Sequence, residues 1–402
     1  MKTRLTSRLV ATTLVTALAG IGLTLPAAVV TGSAAEPVRS ETYDLTHDTS
    51  HSKALQAHVD AIMKTGTVGV VARSTGPRGS GYATGWVADK ATGDAARPGD
   101  RFRIAGTSKT FVATVMLQLV GEGRLSLDDT VEHWLPGVVS GHGNDGSAIT
   151  VRQLLQHTSG LFDYTSDFPE MASVAGYQAD RYTTWTPEQL VSITMRHTPD
   201  FAPGTGWGYS NTNYILAGMI IQKATGHSWE QEATARIIRP LHLRHTLAPT
   251  TYSRIPGRHL HGYSNFGEAG PSIDVTGFDP SAGGAAGAMI STTADLNRFY
   301  QALLGGRLLH PAELAAMKAT VRAPELDPGW PGVRYGLGLM EVPLSCGGAY
   351  YSHGGDLPGY TTRNGVSADG RRAVVLIATG DGSSDMSTQQ AQNHLIDGEL
   401  CA

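Results

Sequence analysis

Phe102-Arg103-Ile104-Ala105-Gly106-Thr107-Ser108-Lys109-Thr110-Phe111 is the stretch on which the reading of the chain turns. From about Gly106 the pattern becomes helical and runs to Val120, where Gly121-Glu122-Gly123 ends it. Phe111, Val112, Val115 and Leu119 recur at helical spacing and mark a buried stripe. At about 100° per residue, Gly106 and Lys109 lie only about 60° apart around the axis. Ser108 is about 100° from Lys109 and falls on the apolar stripe, which makes it a packed hydroxyl. Thr107 is about 160° from Lys109. A Lys buried in such a helix is desolvated, so it gives up its proton more readily and can take one from a neighbour. The residue one turn before it on that face is Gly106, which has no side chain to offer.

Composition bounds what surrounds this helix. The chain has 402 residues, 41% hydrophobic and 16% charged, enough for a large core and two lobes. Its 49 glycines imply many loops and close backbone approaches. The net charge is −4, and no basic run stands out, which argues against nucleic-acid binding. Residues 1–35 read as a secretory signal peptide: Lys2, Arg4 and Arg8, an apolar run from Leu9 to Leu25, then Ser33-Ala34-Ala35 before Glu36. Losing those three cations leaves −7. No later segment is apolar enough for a membrane span, so a secreted protein is expected. Cys346 and Cys401 are the only cysteines. Export favours a bridge between them over two buried thiols, and their surroundings give no zinc-site spacing. No metal or organic cofactor is implied.

Taken in order, Ala54–Met63 reads as helix, and Val68–Ala72 and Gly81–Ala88 as strands. Thr150–Gln156, Pro187–Met195, Asn211–Thr225 and Thr292–Leu304 read as helices, with Thr150 as an N-cap and Pro187 in a first turn. The last hundred residues return to strands at Tyr335–Met340, Ala349–Ser352 and Arg372–Ala378, then a helix from Met386 to Leu400. His157 reads as a buried, hydrogen-bonded histidine, and Asp128-Asp129 as a cap and turn. The tryptophans read as core or cleft wall.

Two further motifs carry chemistry. Tyr209-Ser210-Asn211 heads the apolar helix, and His353-Gly354-Gly355 opens a late strand pair. A Tyr near a cation can share or lose its proton and act in acid–base steps. Asn211 offers both a donor and an acceptor to an amide. The double glycine lets a backbone edge approach a ligand closely. Together, in this order and spacing, these motifs and the Lys109 helix resemble the penicillin-recognising serine hydrolases: secreted serine D-Ala-D-Ala carboxypeptidases, class C β-lactamases and related esterases. The resemblance covers about residues 50–402. It implies an α/β fold of the β-lactamase/transpeptidase type. An antiparallel sheet flanked by helices would span about 45–105 and 292–402, and a mainly helical lobe about 106–291. It also implies the Cys346–Cys401 disulfide. In that family a Ser three residues before the Lys attacks a D-Ala-D-Ala amide or a β-lactam and forms an acyl-enzyme. By position, Lys109 and Tyr209 would manage protons and Asn211 would bind the substrate amide. His353 and Gly355 would shape the strand beside the acyl group. The backbone N–H groups of Gly106 and Asp356 would form the oxyanion hole.

Three positions depart from that pattern. Gly106 stands at the nucleophile position, and without an Oγ no acyl-enzyme forms by the family route. Met340 stands where the carboxypeptidase relative has an Arg for a terminal carboxylate. Asp356 replaces a Thr and sets a negative charge near any substrate carboxylate. Arg363 offers a cation that would compensate for these two changes, but it reads first as a solvated strand residue. The expectation is a secreted, monomeric serine-type acyl hydrolase acting on peptidoglycan-type D-amino-acid peptides or related amides and esters. The alternative is an inactive homologue that binds such peptides or β-lactams non-covalently.

Overall fold

Alternation of buried side chains along the strands assigns them to two cores, one on each face of a sheet. Val70, Ala72, Val374, Leu376 and Ala378 pack with Leu55, Val59, Ile62, Leu395 and Ile396. The intervening Val71, Ala373, Val375 and Ile377 belong to the core that contains Phe299 and Leu303. Because both faces are covered, these strands are apolar at nearly every position rather than alternating with polar residues. The computed structural model describes residues 49–77, 79–168, 173–380 and 385–402. The chain divides into residues 1–44 and 45–402, and all described residues belong to the second unit. The expected signal peptide, 1–35, lies outside them.

Among the described residues, nine strands form the main sheet: β1 (Gly69–Gly76), β2 (Gly79–Trp86), β3 (Val321–Arg322), β4 (Arg334–Tyr335), β5 (Met340–Pro343), β6 (Ala349–Ser352), β7 (Gly355–Leu357), β8 (Tyr360–Ser367) and β9 (Ala373–Thr379). Their order is β2-β1-β9-β8-β6-β5-β4-β3, with β7 paired to β8, and every pairing is antiparallel. The principal helices are α1 (Thr49–Met63), α2 (Ser108–Gly121), α3 (Thr212–Thr225), α4 (Thr293–Leu304) and α5 (Met386–Cys401). Helices α1 and α5 cover one face of the sheet and α4 the other. Between β2 and α4 the chain is mainly helix and loop. No helix among the described residues is long and apolar enough to cross a membrane.

Helix α2 is buried almost all round, from Ser108 to Leu117 and again at Leu119. Phe111 stacks on Phe299 of α4, with ring centroids 3.7 Å apart, so α2 is pinned to the sheet layer. The sequence predicts a start at Gly106; the α-helix begins two residues later. Ala105 takes a left-handed φ of +47°, and Ala105–Thr107 form a 3₁₀ turn. The turn is held by Thr107 Oγ1, which donates to the His353 carbonyl at 2.8 Å.

Two further differences are instructive. Tyr335–Met340 reads as one strand but is a corner between β4 and β5. Gly338 turns it with φ +67°, and a β-carbon there would lie 2.5 Å from Ala113 of α2. Strand β8 has no clear sequence signature because Thr361, Thr362, Arg363 and Asn364 look solvent-facing, yet all four are buried. Arg363 is 3% exposed, so its reading as a solvated residue is corrected. Cys346 and Cys401 form a disulfide with Cα atoms 5.9 Å apart, tying the β5–β6 turn to the end of α5. Replacing both cysteines with Ala is expected to lower stability by up to about 4 kcal/mol, from the entropy of a loop this long. A urea midpoint indistinguishable from the parent's would refute that contribution.

Candidate active site

The 3₁₀ turn before α2, the head of α3 and the β6–β7 edge meet at one cleft of about 430 Å³. Gly106, Tyr209, Asn211, His353, Gly355 and Asp356 all line it. Its remaining wall is largely apolar and aromatic, including Tyr164, Phe168, Phe278, Trp330, Met340 and Leu357. Such a lining, with a few convergent polar groups, is what small-molecule sites have in common.

Lys109 lies behind this wall and is fully buried. Its Nζ donates to Asn211 Oδ1 at 2.7 Å and to the Ala286 carbonyl at 2.9 Å. It sits 4.7 Å from the centre of the Tyr209 ring. Burial pushes its pKa down to about 7, with the charge of Asp163 opposing the shift. Two donors satisfy both partners, and a neutral amine supplies two, so the site holds the unprotonated form without breaking a bond. Asn211 is itself braced: its Nδ2 donates to Asp163 Oδ2 at 2.9 Å. Asp163 caps the turn Tyr164–Asp167 by accepting from Thr165 N at 3.0 Å.

Tyr209 is half-buried, with its hydroxyl against the turn. A β-carbon built on Gly106 would lie 2.9 Å from Tyr209 Oη, 3.1 Å from the Gly354 carbonyl and 3.4 Å from His353 Cε1. Burial, and after it the charge of Asp163, pushes the Tyr209 pKa well above 10. The phenol therefore keeps its proton and serves as a donor, which corrects the expectation from sequence that it can also lose that proton. His353 is buried. Its Nδ1 is 2.7 Å from the Gly354 carbonyl, an acceptor, so Nδ1 carries the proton. Its Nε2 then accepts from Tyr335 Oη at 2.8 Å. Burial, with the nearby Lys109, pushes its pKa down to about 3. Both ring nitrogens are occupied and the ring is neutral, so its geometry suits bracing the strand and not proton transfer.

Gly355 is required by close approach. A β-carbon there would fall 2.1 Å from the Ile104 carbonyl and 3.0 Å from Gly106 N. Ser108 is fully buried and its Oγ accepts from Met289 N at 3.2 Å, away from the cleft wall. His157 is likewise buried, its Nδ1 3.2 Å from Ser210 N and 3.0 Å from Asn213 Nδ2, beneath the Tyr209–Asn211 turn. Sequence reasoning missed Asp163, the Ala286 carbonyl and Glu325, whose Oε2 accepts from Tyr209 N at 3.3 Å. The Asp163-Tyr164-Thr165 cap is a common turn pattern, and a carbonyl leaves no mark in a sequence.

A model of the beta-lactamase family matches residues 55–397. The chain belongs to the beta-lactamase family. In that family of serine acyl hydrolases, a D-stereospecific amidohydrolase from Streptomyces sp. is 43% identical; the match covers 87% of this chain and 98% of that one, with a TM-score of 0.80. The D-amino acid amidase from Ochrobactrum anthropi SV3, solved with L-phenylalanine amide, is 30% identical over 87% and 97% of the two chains, TM-score 0.75. Penicillin-binding protein 4* of Bacillus subtilis (strain 168) is 29% identical over 313 residues, 74% of this chain and 65% of that protein. This chain thus spans less than two thirds of the length of that curated relative.

Two outcomes follow from the geometry of this beta-lactamase-family site. Lys109 has a lower pKa folded than unfolded, so below about pH 7 the folded state carries the full burden of a buried charge. That burden is relieved as pH rises from about 7 towards the unfolded value near 10.4, because there the unfolded chain binds more protons. Relative to Lys109→Met, the parent should therefore gain stability across that window, read by thermal melts at stepped pH; parallel curves would contradict it. Gly355→Ala should destabilise the fold by roughly 1–3 kcal/mol, since backbone must move to admit the methyl. A melting temperature equal to the parent's would show that the edge is not pressed against Ile104.

Proposed function

We propose that this cleft is an acyl-transfer site for D-amino-acid amides and peptidoglycan-type D-amino-acid peptides or related esters, laid out for a serine at position 106. With Gly106 the chain binds such ligands without a covalent step. The observation that carries the reading is the convergence on Gly106: a side chain there would enter the corner formed by Tyr209 Oη, the Gly354 carbonyl and His353. Lys109, on the adjoining turn, is held near neutrality by burial. The likeness to two D-amino-acid amide hydrolases over nearly their whole length supports the substrate class. The signal-peptide pattern of residues 1–35 and the Cys346–Cys401 bridge support secretion.

With Ser at 106 the steps run as follows. Neutral Lys109 takes the hydroxyl proton while Oγ attacks the carbonyl carbon, forming the new C–O bond. The backbone N–H groups of residues 106 and 356 hold the oxyanion. Protonated Tyr209 delivers a proton as the amine leaves and the C–N bond breaks. Lys109 then returns its proton to Tyr209; water attacks the acyl carbon as Lys109 takes its proton, the C–Oγ bond breaks, Oγ is reprotonated and the acid leaves. Asn211 orients the Lys109 amine, with its own amide fixed by Asp163. His353 positions the β6–β7 edge. In the Gly106 chain the first bond cannot form, and the Tyr209 hydroxyl must shift to admit a β-carbon.

Intact mass after incubation with a penicillin tests this. The Gly106 chain should show no adduct, and Gly106→Ser should gain one mapped to residue 106. The same variant should hydrolyse D-phenylalanine amide in preference to the L-amide. Adding Lys109→Met should then lower kcat/KM by at least ~100-fold, the scale of a lost general base. An adduct on the Gly106 chain, or none on either, would sink the reading.

A further inference from the structure

An ion pair stands at the cleft edge, apart from the groups that handle protons. Asp356 lines the cleft on β7, its side chain half exposed. Arg363, diagonally across on β8, is buried. The two meet through paired contacts: Arg363 Nη1 donates to Asp356 Oδ2 at 3.0 Å, and Arg363 Nη2 lies 3.0 Å from Asp356 Oδ1. The guanidinium lies 5.0 Å from the centre of the Trp330 ring, and its Nη1 also donates to the Thr362 carbonyl. A β-carbon on Gly354 would lie 3.3 Å from that same Nη1, so the cation sits directly under the strand edge that a ligand would lie along. Both faces of a paired fork are thus occupied by a carboxylate from the protein's own chain.

We propose that Asp356 is a specificity-determining residue that fills the cleft's carboxylate site from within, so that the cleft takes ligands with an uncharged amide beyond the reacting carbonyl and rejects those ending in a free carboxylate. The inference rests on the acyl-transfer reading of the cleft. A terminal carboxylate would have to displace Asp356 from a bidentate pair or lie against its charge; an amide does neither. Met340, apolar and buried in the same wall, adds no cation. Glu325 adds a second carboxylate at the cleft. Arg363 itself lies behind the lining, and Arg181, the cation among the lining residues, lies over the rings of Tyr177 and Tyr182.

The test is calorimetric binding to the mature chain of D-Phe-D-Ala and D-Phe-D-Ala amide, which differ only at the terminal group. The parent should bind the amide at least tenfold more tightly. Asp356→Asn frees a buried cation and should swing the amide-to-acid ratio at least tenfold towards the acid. The double variant Asp356→Thr with Arg363→Gln carries neither charge, keeps the test open should the single variant fold poorly, and should bind both within about threefold. A merely structural pair would weaken both ligands together and leave the ratio fixed. Equal binding by the parent, or a ratio that does not move in either variant, overturns this inference alone. Binding of neither ligand to any of the three overturns the acyl-transfer reading and this inference with it.

Discussion

The structure is arranged around the withdrawal of one amine from water. Lys109 is enclosed by α2, by the head of α3 and by the Gly284–Gly287 turn, and among the described residues two oxygens accept from its nitrogen. An isolated buried ammonium is so costly that the group either pairs or loses its proton. Here the carboxylate of Asp163 acts on it through Asn211 and not by a hydrogen bond of its own. That intermediate distance keeps the amine close to neutrality, where it can both take and return a proton. A direct salt bridge would have locked it charged.

The same enclosure explains the neighbouring groups. Tyr209 packs against the amine and is held protonated, while His353 is held neutral. The site is a set of uncharged donors and acceptors around a cleft with mostly apolar walls. In such surroundings hydrogen bonds aimed at a developing charge count for more than they would in water. The backbone geometry supports this: the left-handed Ala105 and the missing β-carbon of Gly355 bring the turn and the strand edge together. Ionisable side chains stand around this neutral centre: Asp163 behind Asn211, Glu325 and Arg181 in the wall, and the Asp356–Arg363 pair at the strand edge.

Much of the fold was legible because the residues obey simple periods. Val70–Ala72 and Val374–Ala378 announce doubly buried strands, and Phe111, Val115 and Leu119 a buried helix. The site was legible where chemistry needs a particular side chain: Lys109, Tyr209, Asn211 and the glycines after His353. What escaped was tertiary. Thr361 to Asn364 are polar in isolation and are buried because β8 runs in the interior of the sheet, between β9 on one side and β6 and β7 on the other, where Asn364 Oδ1 accepts from His353 N. Arg363 looked solvated because nothing in a linear sequence pairs it with Asp356. Asp163 acts through another side chain, so no motif contains it.

The sheet is assembled from two distant parts of the chain. Strand β1 pairs with β9, Gly69 opposite Thr379 and Val71 opposite Ile377, with the whole helical region between them. Such pairing closes a very long loop before it returns any contact energy, so it comes late in folding. Until β9 arrives, the β1–β2 hairpin presents an open, apolar edge to its surroundings. Productive folding is therefore a race between long-range strand pairing and association through the waiting edge.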